Sequence, residues 1–98
     1  MTLDEILQDI HALEEDILVY ERKYGVLTET FYESYINGEE PPDDAWVLDW
    51  SDWAGTYEIW QQRREQYQQT IASLQEHIPM LSDIIARTAR REPLTVSP

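Results

Sequence analysis

Cysteine is absent from the 98 residues, which excludes disulfides, thiolate nucleophiles and zinc-thiolate sites and leaves no redox chemistry to attach to the chain. Long apolar runs are missing too, so no segment reads as a bilayer span. Met1 is followed by an acidic amphipathic stretch and not by a basic then apolar one, so the start does not read as a signal peptide. The expectation is a soluble, cytoplasmic protein. Basic residues are also scarce: seven lysines and arginines stand against twenty acids, a net charge of −13. The imbalance is local. Residues 1–59 carry sixteen acids against Arg22 and Lys23, a net of −14, whereas residues 60–98 carry four acids against five arginines, a net of +1. An acidic body of this kind repels nucleic-acid phosphates and attracts basic proteins, speeding their association at low salt. Asp4, Glu5, Asp9, Glu14, Glu15 and Asp16 are the acids placed to steer such a partner. The bland alternative is that a solvated acidic surface only keeps the protein soluble.

What the chain has in quantity is helical period. Trp46, Trp50, Trp53, Tyr57, Trp60, Arg64, Tyr67, Ile71, Leu74, Ile78, Leu81 and Ile85 alternate steps of four and three. Sustained over more than three or four heptads, that spacing predicts a long helix with a buried stripe packed in coiled-coil style. A second seam, Leu3, Ile6, Ile10, Leu13, Ile17, Tyr20, Tyr24 and Leu27, repeats the pattern at the N-terminus. Two such helices in one short chain imply that they pack on each other, with Ile10, Leu13, Ile17 and Tyr24 facing Trp46, Trp50, Trp53, Tyr57 and Trp60 in the core. Arg64 is the sole charge on the longer seam. A polar residue there can fix register, and its guanidinium can stack on Trp60, pair with an acid of the first helix or curl out to solvent.

Punctuation divides the chain into helices at about 3–24, 29–37, 45–78 and 80–91, a single domain over 1–91, with 92–98 as a flexible tail. Thr2 and Glu5 form a capping box, with Asp4 and Glu5 at the positive end of the dipole and Arg22 and Lys23 at the negative end. Gly25 ends the first helix, and Val26 and Leu27 can fold back on its last turn. Thr28 reads as the N-cap of a short bridging helix that Gly38 stops, with Phe31 and Tyr35 on its apolar face. Pro41 and Pro42 break the chain, and Asp43 or Asp44 caps the long helix. Gly55 costs about 1 kcal/mol inside a helix relative to alanine, which suggests close packing beside the tryptophans, with a tolerated accident as the alternative. Pro79 should kink the long helix near 75–79. The fold class is therefore all-α: an antiparallel helical hairpin with coiled-coil style heptad packing, a short bridging helix and a kinked long C-terminal helix.

The two helix lengths differ. Leu3–Tyr24 spans about 33 Å and Trp46–Ile78 about 50 Å, so the seam beyond Tyr67 has no partner within the hairpin. Ile71, Leu74, Ile78, Leu81 and Ile85 each gain roughly 1.5–3 kcal/mol on burial, a sum comparable to the cost of association. A homodimer through these residues is the expectation. Folding back of residues 80–91 is the alternative within one chain.

Catalytic, cofactor and metal sites are not expected. His11 and His77 lie on different helices and lack ligand spacing. The acids at 39–44 lack the calcium-loop pattern. Asp49, Asp52 and Glu58 lack a second polar element to complete an acid-base site and read as the flank of a packed helix. The tryptophans lack the basic groove that accompanies base stacking. Arg87, Arg90 and Arg91 suit a helix C-terminus better than nucleic acid, for which no basic face or helix-turn-helix is visible.

Glu21, Tyr24-Gly25, Thr28, Phe31, Tyr35, Gly38-Glu39, Asp43-Asp44, Asp52-Trp53-Ala54 and Tyr57 resemble a pattern of small uncharacterised prokaryotic helical proteins of toxin-antitoxin gene pairs. Those proteins commonly read Tyr-Gly, Ser-x-x-Phe, Gly-Glu, Asp, then Glu-Trp and Tyr; here Thr28 stands for the serine and Asp52 for the glutamate. The resemblance covers about the middle two-fifths of the chain. It implies an antitoxin-like, non-enzymatic protein that binds and silences a small basic toxin, with a ribonuclease as the expected kind. The rival expectation is a structural coiled-coil module that self-assembles or scaffolds a complex.

Overall fold

The computed structural model describes residues 1–89, and all of their regular structure is helical: α1 (Leu3–Tyr24), α2 (Thr28–Ile36), one 3-10 turn (Asp44–Trp46), α3 (Val47–His77) and α4 (Leu81–Ala89). Arg90, Arg91 and the expected tail lie outside the described residues. The termini of α1 follow the local code. Thr2 Oγ1 accepts from the Glu5 amide at 3.2 Å and Glu5 Oε1 accepts from the Thr2 amide at 3.0 Å, closing the capping box. Gly25, at φ 76°, ends α1 with its amide donating to the Glu21 carbonyl at 2.8 Å. Leu27, however, does not fold back; it is 67% exposed, because the chain turns at once into α2.

The entry to α2 differs from the expectation. The cap position belongs to Leu27, which makes no side-chain bond, and Thr28 is the first helical residue with its hydroxyl turned inward. Thr28 has buried partners that outweigh a capping bond to solvent-exposed backbone, as set out below. At the other end Gly38, at φ 93°, lets its own amide reach the Tyr35 carbonyl and the Glu39 amide reach the Ser34 carbonyl, both at 3.1 Å. That pair of bonds is a Schellman closure. Asp43 then accepts from the Ala45 amide at 2.9 Å and starts the 3-10 turn that leads into α3.

α1 lies along α3 and buries Leu3, Ile6, Ile10 and Ile17. The cross-contacts fix its direction: Tyr24 meets Trp46, Tyr20 meets Asp52, Glu14 meets Trp60 and Asp9 meets Arg63, so α3 numbers fall as α1 numbers rise and the helices are antiparallel. α2 packs across the N-terminal part of α3, with Phe31 buried against Trp50, Trp53 and Ala54. Since α3 has 31 residues to the 22 of α1, it projects beyond the start of α1 and gives the molecule its longest dimension, 51 Å.

At the projecting end the expected kink is a complete break. Proline disfavours the helical conformation of the residue before it, and Ile78 sits at φ −132°, ψ 83°, outside the helix. The heptad count loses its phase there. Ile71, Leu74 and Ile78 are half-buried within the single chain, but on α4 the residue turned inward is Ile84, 4% exposed, while Leu81 and Ile85 are 64% and 52% exposed. Gly55 is likewise not a close-packing site, since a Cβ added there meets no atom within 4 Å. Among the described residues, no helix is long and apolar enough to cross a membrane.

Candidate functional site

Trp53 is the most buried large side chain, 1% exposed. Helical spacing brings it inward on α3, and three near-parallel rings surround it: Phe31 at 3.8 Å, Tyr24 at 5.6 Å and Tyr20 at 5.7 Å between centroids. Its indole N–H donates to Thr28 Oγ1 at 2.9 Å. The Thr28 hydroxyl donates in turn to Glu21 Oε2 at 2.9 Å, and the same oxygen accepts the Thr28 amide at 2.8 Å. One carboxylate thereby ties the end of α1 to the first turn of α2 and, through one hydroxyl, to α3. Trp50 closes the core against Phe31 and Trp46, with its own indole N–H buried and unpaired.

Acidic side chains pin the phenols around this core. Asp52 accepts the Tyr20 hydroxyl, Asp49 accepts the Tyr24 hydroxyl at 2.7 Å together with the Lys23 ammonium, and Glu58 accepts the Tyr32 hydroxyl at 2.7 Å. The carboxylate beside it, with burial, pushes the Tyr20 hydroxyl up to about 12, and burial together with Asp49 pushes Tyr24 up to about 12. The Tyr32 phenol is raised by its bond to Glu58. Asp49 is held below its usual range by the donors Lys23 and Tyr24. These are carboxylates engaged as acceptors at a helix–helix contact, each with its hydroxyl supplied by another helix.

Next to the core runs an open groove of about 380 Å³ between α1, the start of α2 and α3. Ile17, Leu18, Leu27, Tyr57 and Trp60 form its apolar walls, and Glu14, Glu21 and Glu29 its polar rim. Among the described residues, no basic residue lines it. Glu14 Oε2 takes the Trp60 indole N–H at 3.3 Å, and Tyr57 stacks on Trp60 at 5.5 Å. Carboxylates only accept hydrogen bonds, so a ligand for this groove brings donors, positive charge and an apolar body.

The residues singled out in the sequence fall into several places. Trp50 and Trp53 are buried in the aromatic core, Tyr24 and Trp46 pack at its edge, and Leu13, Tyr57 and Trp60 are half-buried. Arg64 is exposed and lies over the Trp60 ring at 5.2 Å, whereas its neighbour Arg63 crosses to Asp9 at 3.0 Å. Its place beside the seam, where interhelical ion pairs form, is the signal that marks Arg63. Within the steering set, Asp9 is paired with Arg63, Glu14 holds Trp60, Asp4 accepts from Gln8 and Glu5 belongs to the cap, while Glu15 and Asp16 are exposed. His11 is exposed, and His77 Nδ1 lies 3.1 Å from the Ser73 carbonyl. Among the described residues no group of three histidine or acidic side chains is arranged to hold a metal ion. Of the residues carrying the resemblance, Glu21, Tyr24, Thr28, Phe31, Tyr35, Trp53 and Ala54 gather at the Trp53 core. Compared with known proteins, the chain matches no family model, no curated protein and no solved structure.

Proposed function

We propose that this chain is a non-catalytic protein-binding module, antitoxin-like, that neutralises a small basic toxin of the ribonuclease kind by direct binding. The observation that supports it is the charge: residues 1–59 carry sixteen acids against Arg22 and Lys23, a net of −14. A surface of that sign is complementary to the positive face with which a nuclease holds RNA. The carrier is the antiparallel α1–α3 pair, which we read as a hairpin with a coiled-coil style seam. Co-expression with a basic product of an adjacent reading frame tests the proposal. Growth inhibition by that product should disappear when this chain is present, and undiminished toxicity rejects the reading.

A second reading, a homodimer or scaffold, is favoured by the exposed Met80, Leu81 and Ile85 around the Pro79 break. Light scattering on the wild type and on Leu81→Glu, Ile85→Glu tests it. A dimer that the double variant converts to a monomer supports self-assembly through α4; a wild-type monomer at micromolar concentration removes it.

A further inference from the structure

We propose that the groove between α1, the start of α2 and α3 docks a basic, amphipathic helical segment of the protein partner, a refinement that rests on the function proposed above. The occupant is identified by charge and spacing. Glu14 and Glu21 lie two turns apart on one face of α1, about 10.5 Å along the axis, with Ile17 and Leu18 between them. A helix with two arginines or lysines seven residues apart and leucine-sized side chains between them repeats that spacing with the opposite charge. Its apolar side chains meet Leu18 and Leu27, which stand 40% and 67% exposed at the groove. Its cations meet Glu14 and Glu21 at the two ends and Glu29 on the far wall.

The acceptors are available for this. Glu14 uses Oε2 for Trp60, and Glu21 uses Oε2 for both Thr28 donors, so the second oxygen of each remains for an incoming cation. Among the described residues, neither takes part in an ion pair, nor does Glu29. Glu21 and Glu14 are also held in place by the bonds they already make, so little side-chain freedom is lost when a cation arrives.

The test uses the full chain and a capped, alanine-based peptide of about twenty residues, long enough to hold a helix, with two arginines seven apart and two leucines between them. Calorimetry gives the affinity, and the Trp60 indole N–H resonance, assigned with Trp60→Phe, reports occupancy of the groove. Glu14→Gln with Glu29→Gln should weaken binding about tenfold, two exposed ion pairs' worth. Glu39→Gln with Glu40→Gln, which removes the same charge from the remote loop, should change it less than about twofold. Equal losses in both double variants overturn the groove and leave a diffuse acidic surface, with the proposed function intact. Equal binding of an arginine-to-glutamine peptide, or no binding, also overturns it. A dimer that Leu18→Glu dissociates assigns the groove to a second copy and overturns it as well. If the peptide binds as expected but co-expression fails to relieve toxicity, the function fails and the groove stands.

Discussion

Thr28 stands between two groups that have no other partner of equal quality. Its hydroxyl accepts the buried Trp53 indole N–H and donates to Glu21. Valine keeps the shape and removes both bonds, leaving a buried donor unpaired, a loss of about 1–3 kcal/mol. Serine keeps the hydroxyl. Urea unfolding followed by tryptophan fluorescence should therefore show Thr28→Val destabilised by about that amount and Thr28→Ser by clearly less; equal losses point to the methyl group instead. The neighbouring Trp50 indole, already unpaired, shows that the core tolerates one such donor. A second in the same cluster adds to a penalty already present.

Glycines separate the elements by what their backbone requires. Gly25 occupies the left-handed region at φ 76°, where an L side chain costs about 1–2 kcal/mol, so Gly25→Ala should destabilise by about that much. Gly55 lies inside α3 with open space where a Cβ would go, so Gly55→Ala should stabilise by about 1 kcal/mol. Thermal or urea unfolding of the pair checks the opposite signs, and a destabilised Gly55→Ala means that the glycine has a packing role after all. The α1–α3 contact also has a pH signature. Tyr20 and Tyr24, raised from about 10 to about 12, keep their protons in the fold at pH values where the unfolded chain loses them. Their contribution is complete below pH 10 and is lost as pH rises towards 12. Stability measured across that window should fall, and the fall should be shallower in Tyr20→Phe, Tyr24→Phe.

At the scale of the whole molecule the charge distribution decides. An acidic body speeds the approach of a basic partner through a field that salt shortens from about 10 Å at 0.1 M to about 3 Å at 1 M. Association measured by stopped flow should slow steeply over that range while dissociation changes little. An association rate independent of salt reduces the exposed acids, Glu15 and Asp16 among them, to solubilising groups. The projecting end of α3 is a separate matter. Ile84, which was not part of the expected dimer seam, is the α4 residue buried within one chain, while Leu81 and Ile85 of that seam stay exposed and Ile71, Leu74 and Ile78 are half-buried.

Local chemistry was legible in the sequence because its causes are local. The all-helical class follows from steps of three and four, the capping box from Thr2 and Glu5, and the ends of α1 and α2 from Gly25 and Gly38. Tertiary structure decided which polar edges meet. Thr28 exchanged a cap for Glu21 and Trp53, and Arg63 took the acid of the first helix while Arg64 lay over Trp60. It also set the phase beyond Pro79, because a seam counted through an unbroken helix cannot register the non-helical residues that turned Ile84 inward. The groove belongs to the same class: Glu14, Glu21 and Glu29 border one apolar wall with Trp60 only once three helices are packed, and no period in the chain encodes that meeting.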